Sequence, residues 1–486
     1  MDRLAKGALL IATLTVALCW PAILNRQPLL FPDTPGYLRA GEVVLDVATG
    51  FFRPTPTDRV TTPSAAPEPT VDSGENGVSV ERSPYFGVLV ALLVKAGGTW
   101  AVILAQSLIA AIAIVVALRR LQIRTPAQVA IVLVMLAALS GISFFSAAVM
   151  PDIFLGLSII AVAILLRQAD SLDWPERAFW TVLVLASALF AKAHLTILTL
   201  LIACGAGYLI LLRGRRPQAI YSFLAIIVVA SVGFALVNLT VTRMTREKPL
   251  ESPFLLARVI GDGTAIPYLR EVCGQKRWQT CGILNDLPMT ENEFLWEPKR
   301  AGYGTIDVAL KRRFILEQRD IVKGAVTSYP LQQMAASTRN AVEQLATLDV
   351  EEYDRMRTLY MGCYAAFCAP YRAYSDSLIM QRQMPLKAPS LAMLVTYLIA
   401  AAIGIVLLLG SRPWIRSEAQ GSAVPDICAI VMGGVVINAV VTGVVSGVFG
   451  RYQARVGWLM LICAAALLAQ WLYARRQSQT QLQQSY

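Results

Sequence analysis

Long apolar runs separated by short basic segments dominate this chain. Runs of membrane-spanning length lie near residues 7–24, 100–118, 127–146, 153–167, 177–191, 195–212, 219–240, 390–410, 425–449 and 454–474. A helix needs about 20 mostly apolar residues to cross the hydrocarbon core. The pattern therefore predicts an all-α polytopic membrane protein of about ten transmembrane helices. A further run, SPYFGVLVALLVKAGG (83–98), is short for a span. As a crossing it would put RRLQIR (119–124) outside and invert every later basic cluster. As an interfacial or re-entrant helix it leaves the charge pattern consistent with cytoplasmic basic loops.

With that choice Arg3, Lys6, Arg119, Arg120, Arg124, Arg213, Arg215, Arg216, Arg412, Arg416, Arg475 and Arg476 are all cytoplasmic, as are both termini. The other side receives a first loop (25–99), turns at 147–152, 192–194 and 450–453, and a large insert at 241–389. The first loop carries interfacial helices and TPTDRVTTPSAAPEPTVDSGENG (55–77), too poor in apolar residues to build a core and read as a mobile insertion. The insert has helical spacing in its second half and is expected to be a small, mainly helical extracytoplasmic domain. The chain thus divides into an N-terminal membrane module (1–240), the insert (241–389), C-terminal membrane helices (390–474) and a cytoplasmic tail (475–486).

Composition agrees. Of 486 residues, 56% are hydrophobic and only 15% charged, which excludes a string of soluble domains. The net charge of +11 would suit a nucleic-acid partner, but the basic residues sit in clusters between apolar runs, so it reports topology and nucleic acid is not expected. The first run follows MDRLAK as a signal peptide would. The residues after it, CWPAILNRQ, put Trp and Pro where cleavage needs small side chains, so it reads as an uncleaved anchor. Cys19, Cys204, Cys428 and Cys463 fall in spans, whereas Cys273, Cys281, Cys363 and Cys368 fall in the insert as two close pairs. Pairings 273–281 and 363–368 are expected in an oxidising compartment.

The polar residues that remain gather at the non-cytoplasmic mouth: Asp33 after the first span, Arg82 and Tyr85 before the interfacial helix, and Asp152 heading the fourth span. Lys192 and His194 join the fifth and sixth, and Arg451, Tyr452 and Arg455 begin the last. Each also has a structural reading. Asp33-Thr34-Pro35 and Pro151-Asp152 suit helix caps, Lys192 and Arg451 suit snorkelling to head groups, and the single histidine suits packing. Together, acids and cations on one membrane face fit group transfer from a lipid phosphate. A carboxylate deprotonates an acceptor hydroxyl while Arg, with its planar fork, and Lys hold the departing phosphate. No Cys/His metal constellation, nucleotide-binding Gly-rich loop or Ser-His-Asp set accompanies them. A transporter or flippase for lipid-linked precursors would call for ionisable groups near mid-membrane, and an inverted-repeat transporter for internal symmetry; neither is visible. A glycan polymerase is a further alternative.

PDTPGYLRAG, ERSPYFGVLVALLVKAGG, AVMPDIFLGLSIIAVAILL, ALFAKAHLTILTLLI and GRYQARVGWLML, in this order and spacing, resemble bacterial integral-membrane glycosyltransferases of the glycosyltransferase-C superfamily. The similarity is to the protein O-mannosyltransferases and the lipid A aminoarabinose and galacturonic acid transferases, over about 1–240 and 390–474. It implies an inner-membrane enzyme with a periplasmic active site that moves a sugar from a polyprenyl-phosphate donor to a glycan, lipid or protein acceptor, with inversion. Asp33 matches the acidic residue of the first loop, the expected catalytic base or acceptor-orienting group, and Asp152 the acid at the start of the fourth span. Arg82, Lys192, Arg451 and Arg455 would face the donor phosphate, and Tyr37, Tyr85, His194 and Tyr452 the substrates. Many relatives carry two adjacent acids in the first loop; here Thr34 follows Asp33, which leaves a divalent metal without its second ligand. His194 stands where Gly is common, and the insert lies mid-chain rather than at the C-terminus.

A non-reducing peptide map tests the cysteine reading. Linked peptides are expected for 273–281 and 363–368, and free thiols at these positions would remove that support for the topology.

Overall fold

The computed structural model describes residues 2–50, 81–296, 303, 306–358, 374–410 and 422–484. The segment 55–77, Cys363, Cys368, Arg412 and Arg416 lie outside the described residues. Regular structure among the described residues is helical throughout; the one extended pairing is an isolated parallel bridge between Leu29 and Ala148.

The first half comprises α1 (Asp2–Leu18), α2 (Trp20–Leu24), α3 (Thr34–Thr49), α4 (Pro84–Arg120), α5 (Pro126–Leu139), α6 (Ile142–Ser146), α7 (Asp152–Gln168), α8 (Trp174–Phe190), α9 (Lys192–Gly207) and α10 (Ile220–Thr245). The insert supplies α11 (Phe254–Gly261), α12 (Ala265–Val272), α13 (Glu291–Trp296), α14 (Val308–Ser328) and α15 (Pro330–Ala346). The chain closes with α16 (Lys387–Gly410), α17 (Val424–Val445) and α18 (Gly450–Gln484).

Among the described residues seven helices are long and apolar enough to cross a membrane, which makes this a multi-pass membrane protein. They fall on seven of the runs marked in the sequence. The other three runs give shorter helices. The first is divided at Cys19, with Pro21 in the first turn of α2, and the third breaks where Ser140 turns extended (φ −134°, ψ 164°) before α6. The fifth, α8, has 17 residues.

α4 is two helices in one. Gly97 and Gly98 leave helical geometry, and Gly98 takes φ +69°, a left-handed value that only glycine adopts freely. The first piece, 84–96, is about 20 Å long at 1.5 Å per residue, too short for the hydrocarbon core. It lies against α3 with almost no side chain between them. A Cβ on Gly41 would fall 2.0 Å from the Gly87 carbonyl oxygen, and one on Gly87 would fall 2.4 Å from that of Tyr37.

α7 is the central helix, buried along nearly its whole length among α4, α8, α9, α17 and α18. Asp152 at its start meets Arg455 near the start of α18, which in turn bonds Asn438 late in α17, whereas Arg167 at its end reaches Asp426 at the start of α17. α7 and α17 therefore run antiparallel, and the bundle has two polar ends about 22 Å apart along α7.

The insert divides its apolar residues between two cores. Leu256, Ile260, Phe294, Phe314 and Ile321 form a core of their own, beside a disulfide joining Cys273 and Cys281. Leu348, Val350, Tyr353, Tyr374 and Ile379 belong instead to the core of the membrane bundle. α15 packs on α17, and Gln344 both donates to and accepts from the backbone of Phe449 at 2.9 Å. The second half of the insert is thereby seated directly beside the turn that leads into α18.

Gly87→Val, which would force α3 away from α4, is expected to cost about 1–3 kcal/mol, as overpacking does. A lowered thermal midpoint of the purified protein in detergent checks it.

Candidate functional site

Two turns distant in sequence are stitched together at one end of the bundle. Leu29 N donates to Ala147 O and Val149 N to Leu29 O, both at 2.9 Å. Gln106 Nε2 donates to Ala148 O at 2.7 Å, and Thr34 Oγ1 to Val149 O at 3.2 Å. These bonds hold the segment before Asp33 against the segment before Asp152. Ser83 Oγ donates to Leu189 O at 2.6 Å and so anchors Arg82 beside the end of α8.

Asp33 precedes α3, but its side chain makes no capping hydrogen bond. Its carboxylate instead accepts from Arg82 Nη2, and its second oxygen lies 3.6 Å from Arg451 Nη1. Asp152 sits in the first turn of α7 and accepts from Arg455 Nη1 at 2.9 Å. Arg455 also donates through Nη2 to Asn438 Oδ1 at 3.0 Å, while Asn438 Nδ2 donates to Tyr452 O at 2.7 Å. Arg451 is held on its flat faces, with its guanidinium 4.1 Å from the Phe31 ring centroid and 4.9 Å from that of Tyr452. Its Nε lies 3.2 Å from Glu352 Oε2 in ion-pair range, although the angle is too poor for a hydrogen bond.

Three carboxylates, Asp33, Asp152 and Glu352, thus meet three guanidinium groups, those of Arg82, Arg451 and Arg455. Equal numbers matter because a buried charge without a partner is costly. Arg455 and Asp152 are the most enclosed, with side chains 5% and 8% exposed. Tyr37 is buried within electrostatic reach of Arg82, Asp33, Asp152 and Arg451, and burial pushes its phenol pKa up. Burial likewise lifts that of Tyr353 well above the ordinary tyrosine value. Both remain neutral at physiological pH and can donate a hydrogen bond.

Of the residues picked out in the sequence, Asp33, Tyr37, Arg82, Asp152, Arg451, Tyr452 and Arg455 lie in this assembly. His194 lies at its edge, buried, close enough to Arg455 and Asp152 to feel both charges, with Nδ1 3.2 Å from Ser187 Oγ. Lys192 stands apart in an exposed ion pair with Glu251. Tyr85 turns its ring toward Phe234, 6.3 Å between centroids.

Sequence reasoning missed Glu352, Tyr353 and Asn438. Asn438 carried a signal, a lone amide inside the apolar run GGVVINAVV. Glu352 and Tyr353 carried none, since an acid–aromatic pair in a polar insert looks like any solvated turn. Tyr353 meets Phe31 and Phe145 at ring-centroid distances of 5.8 and 6.4 Å.

Among the described residues no group of three or more His, Cys, Asp or Glu side chains is arranged to hold a metal ion. The acids of this assembly face guanidinium groups rather than one another. At the opposite end of the bundle the fully buried Asp426 accepts from Arg167 Nε at 2.8 Å, Arg213 Nε at 2.6 Å and Tyr208 OH at 3.2 Å.

The site and fold together define a multi-pass helical membrane protein with a charge-balanced acid–arginine assembly at one end of its bundle. No protein-family model matches the chain, and neither a curated protein nor a solved structure does.

Arg455→Met, which strands the Asp152 carboxylate, is expected to cost about 3–5 kcal/mol. Asp152→Asn combined with Arg455→Met should recover part of that loss, as a double-variant cycle of thermal midpoints in detergent would show.

Proposed function

We propose that the chain is a membrane glycosyltransferase that moves a sugar from a polyprenyl-phosphate donor to a glycan, lipid or protein acceptor, with inversion. The observation that carries this reading is Asp33, a mostly enclosed carboxylate lying between two guanidinium groups at one end of a membrane bundle. In this scheme Arg82 and Arg451 turn to the donor phosphate, where the planar guanidinium binds two oxygens at once. Asp33, relieved of its partners, takes the proton from the acceptor hydroxyl. The acceptor oxygen attacks the anomeric carbon, the bond to the phosphate oxygen breaks, and the lipid phosphate leaves with its charge held by the arginines.

Arg455 has a different duty, because Asp152 and Asn438 already engage it and it lies 4.9 Å from the Tyr452 ring. It holds the frame on which Arg451 and Tyr452 sit. Lys192, paired with Glu251 at the surface, belongs to the approach rather than the reacting centre. The scheme invokes no cofactor.

The topology that accompanies this reading has ten crossings. The three shorter elements, α1 with α2, α5 with α6, and α8, complete the seven long spans. Both termini are cytoplasmic, the assembly faces the periplasm of a bacterial inner membrane, and 241–389 forms the extracytoplasmic domain beside it.

Transfer is measured in membranes with a panel of radiolabelled polyprenyl-phosphate sugars. Asp33→Asn is expected to lower turnover on the order of 100-fold or more, the scale of general-base catalysis, with expression unchanged. Full activity in that variant would sink the proposed role of Asp33. Absence of turnover by the wild type with every donor would move the reading to transport of lipid-linked precursors.

A further inference from the structure

At the end of the bundle opposite the acid–arginine assembly, a cavity of ≈ 730 Å³ opens between α4, the turn after it and the start of α8. Its volume lies in the range of ordinary small-molecule sites. Its lining changes character with depth. Val116 and Ile112 lie one and two turns back from Arg120 along the same face of α4, and Phe179 of α8 lines the cavity with them. Arg119, Arg120 and Arg124 stand at the mouth.

The three arginines are not equivalent. Arg120 is fixed by Glu176, donating through Nε at 2.8 Å and also through Nη2, and Glu176 accepts a further bond from Trp180 Nε1 at 3.3 Å. Asp173, the other acid of the lining, accepts from Glu176 N at 3.0 Å as the cap of α8. Both acids are therefore occupied. The guanidinium groups of Arg119 and Arg124 have no hydrogen-bond or ion-pair partner among the described residues. Trp174, beside the mouth, is 79% exposed. An indole so exposed on a membrane protein marks the headgroup level, where its apolar ring and polar N–H are both satisfied.

We propose that this cavity holds an anionic phospholipid, its phosphate between Arg119 and Arg124 and one acyl chain along Ile112, Val116 and Phe179. The cations call for an anion, the apolar floor calls for a hydrocarbon chain, and the depth at which they occur is that of a phospholipid in a leaflet. A soluble phosphate would leave the floor unfilled. This site is separate from the acid–arginine assembly and does not rest on the glycosyltransferase reading.

The test uses the full chain in nanodiscs of phosphatidylcholine with a minor fraction of phosphatidylglycerol, with protein-retained lipid counted by native mass spectrometry. Wild type is expected to enrich phosphatidylglycerol over phosphatidylcholine. Arg119→Ala with Arg124→Ala should reduce that enrichment by about fivefold or more, since each basic residue near an anionic surface contributes roughly that factor. Val116→Trp, which fills the floor and keeps every charge, should reduce it as well. Arg475→Ala with Arg476→Ala, a basic pair outside the cavity, should leave it unchanged.

Equal loss in the Arg475/Arg476 control, or full enrichment in Val116→Trp, would reduce the effect to a general surface field and overturn the site. Displacement of the lipid by inorganic phosphate at equal concentration would identify a soluble-anion site instead. A thermal midpoint in detergent matching wild type shows that each variant is folded.

Discussion

The Asp152–Arg455 ion pair is the contact around which the polar end of this bundle is arranged. It joins the first turn of α7 to the first turns of α18, and through Asn438 it ties in α17. Taking either charge out of water alone would be prohibitive in a bundle surrounded by hydrocarbon, so the two must arrive together and in register. That condition fixes how far α7 and α18 may slide past one another. It also fixes Tyr452, whose carbonyl accepts from Asn438 and whose ring lies 4.9 Å from both Arg451 and Arg455. Arg451, one residue earlier on the same turn, is carried into place against Phe31 and Asp33.

The two ends of α7 solve the burial of charge differently. At the Asp152 end, three carboxylates meet three guanidinium groups. At the other end one fully buried carboxylate, Asp426, serves Arg167 and Arg213, with Arg215 further away at 3.9 Å. In the proposed scheme a balanced assembly exchanges partners cheaply, since a phosphate that takes an arginine from Asp33 would free a carboxylate to accept a proton. A single carboxylate under several arginines has no such freedom, because removing it would leave like charges side by side. The second arrangement suits an anchor and the first suits chemistry.

Much of this was legible in the sequence because membrane burial is written into hydropathy. The apolar runs marked the helices, and among the described residues seven of these are long enough to span. The break at Gly97-Gly98 keeps 83–98 distinct from the span after it, although α4 is continuous around the bend. The acids and arginines at one mouth were legible because ionisable residues are rare in such a chain and positive-inside bookkeeping sorts them by face. Lys192 shows the limit of that logic. Sharing a face with Asp152 says nothing about lateral distance, and an exposed cation takes the nearest carboxylate, here Glu251. Glu352 and Tyr353 were beyond reach for a different reason. Their relevance arises from where the insert folds back onto the bundle, and no local pattern in 348–354 encodes that docking.

That docking bears on how the insert and the membrane part depend on each other. Leu348, Val350 and Tyr353 leave the core of the insert for that of the bundle. Glu352, within the same short segment, is thereby set against Arg451. The carboxylate cannot be there unless the apolar residues around it are seated, and they cannot seat unless α15 lies along α17. Gln344 locks that position through its paired bonds with the Phe449 backbone, two residues before Arg451. One face of the Arg451 environment therefore comes from the first loop, through Phe31 and Asp33, and another from the insert, through Glu352. The insert is thereby coupled by direct contacts to the arginine beside Asp33, so a shift of α15 along α17 would be felt at Arg451.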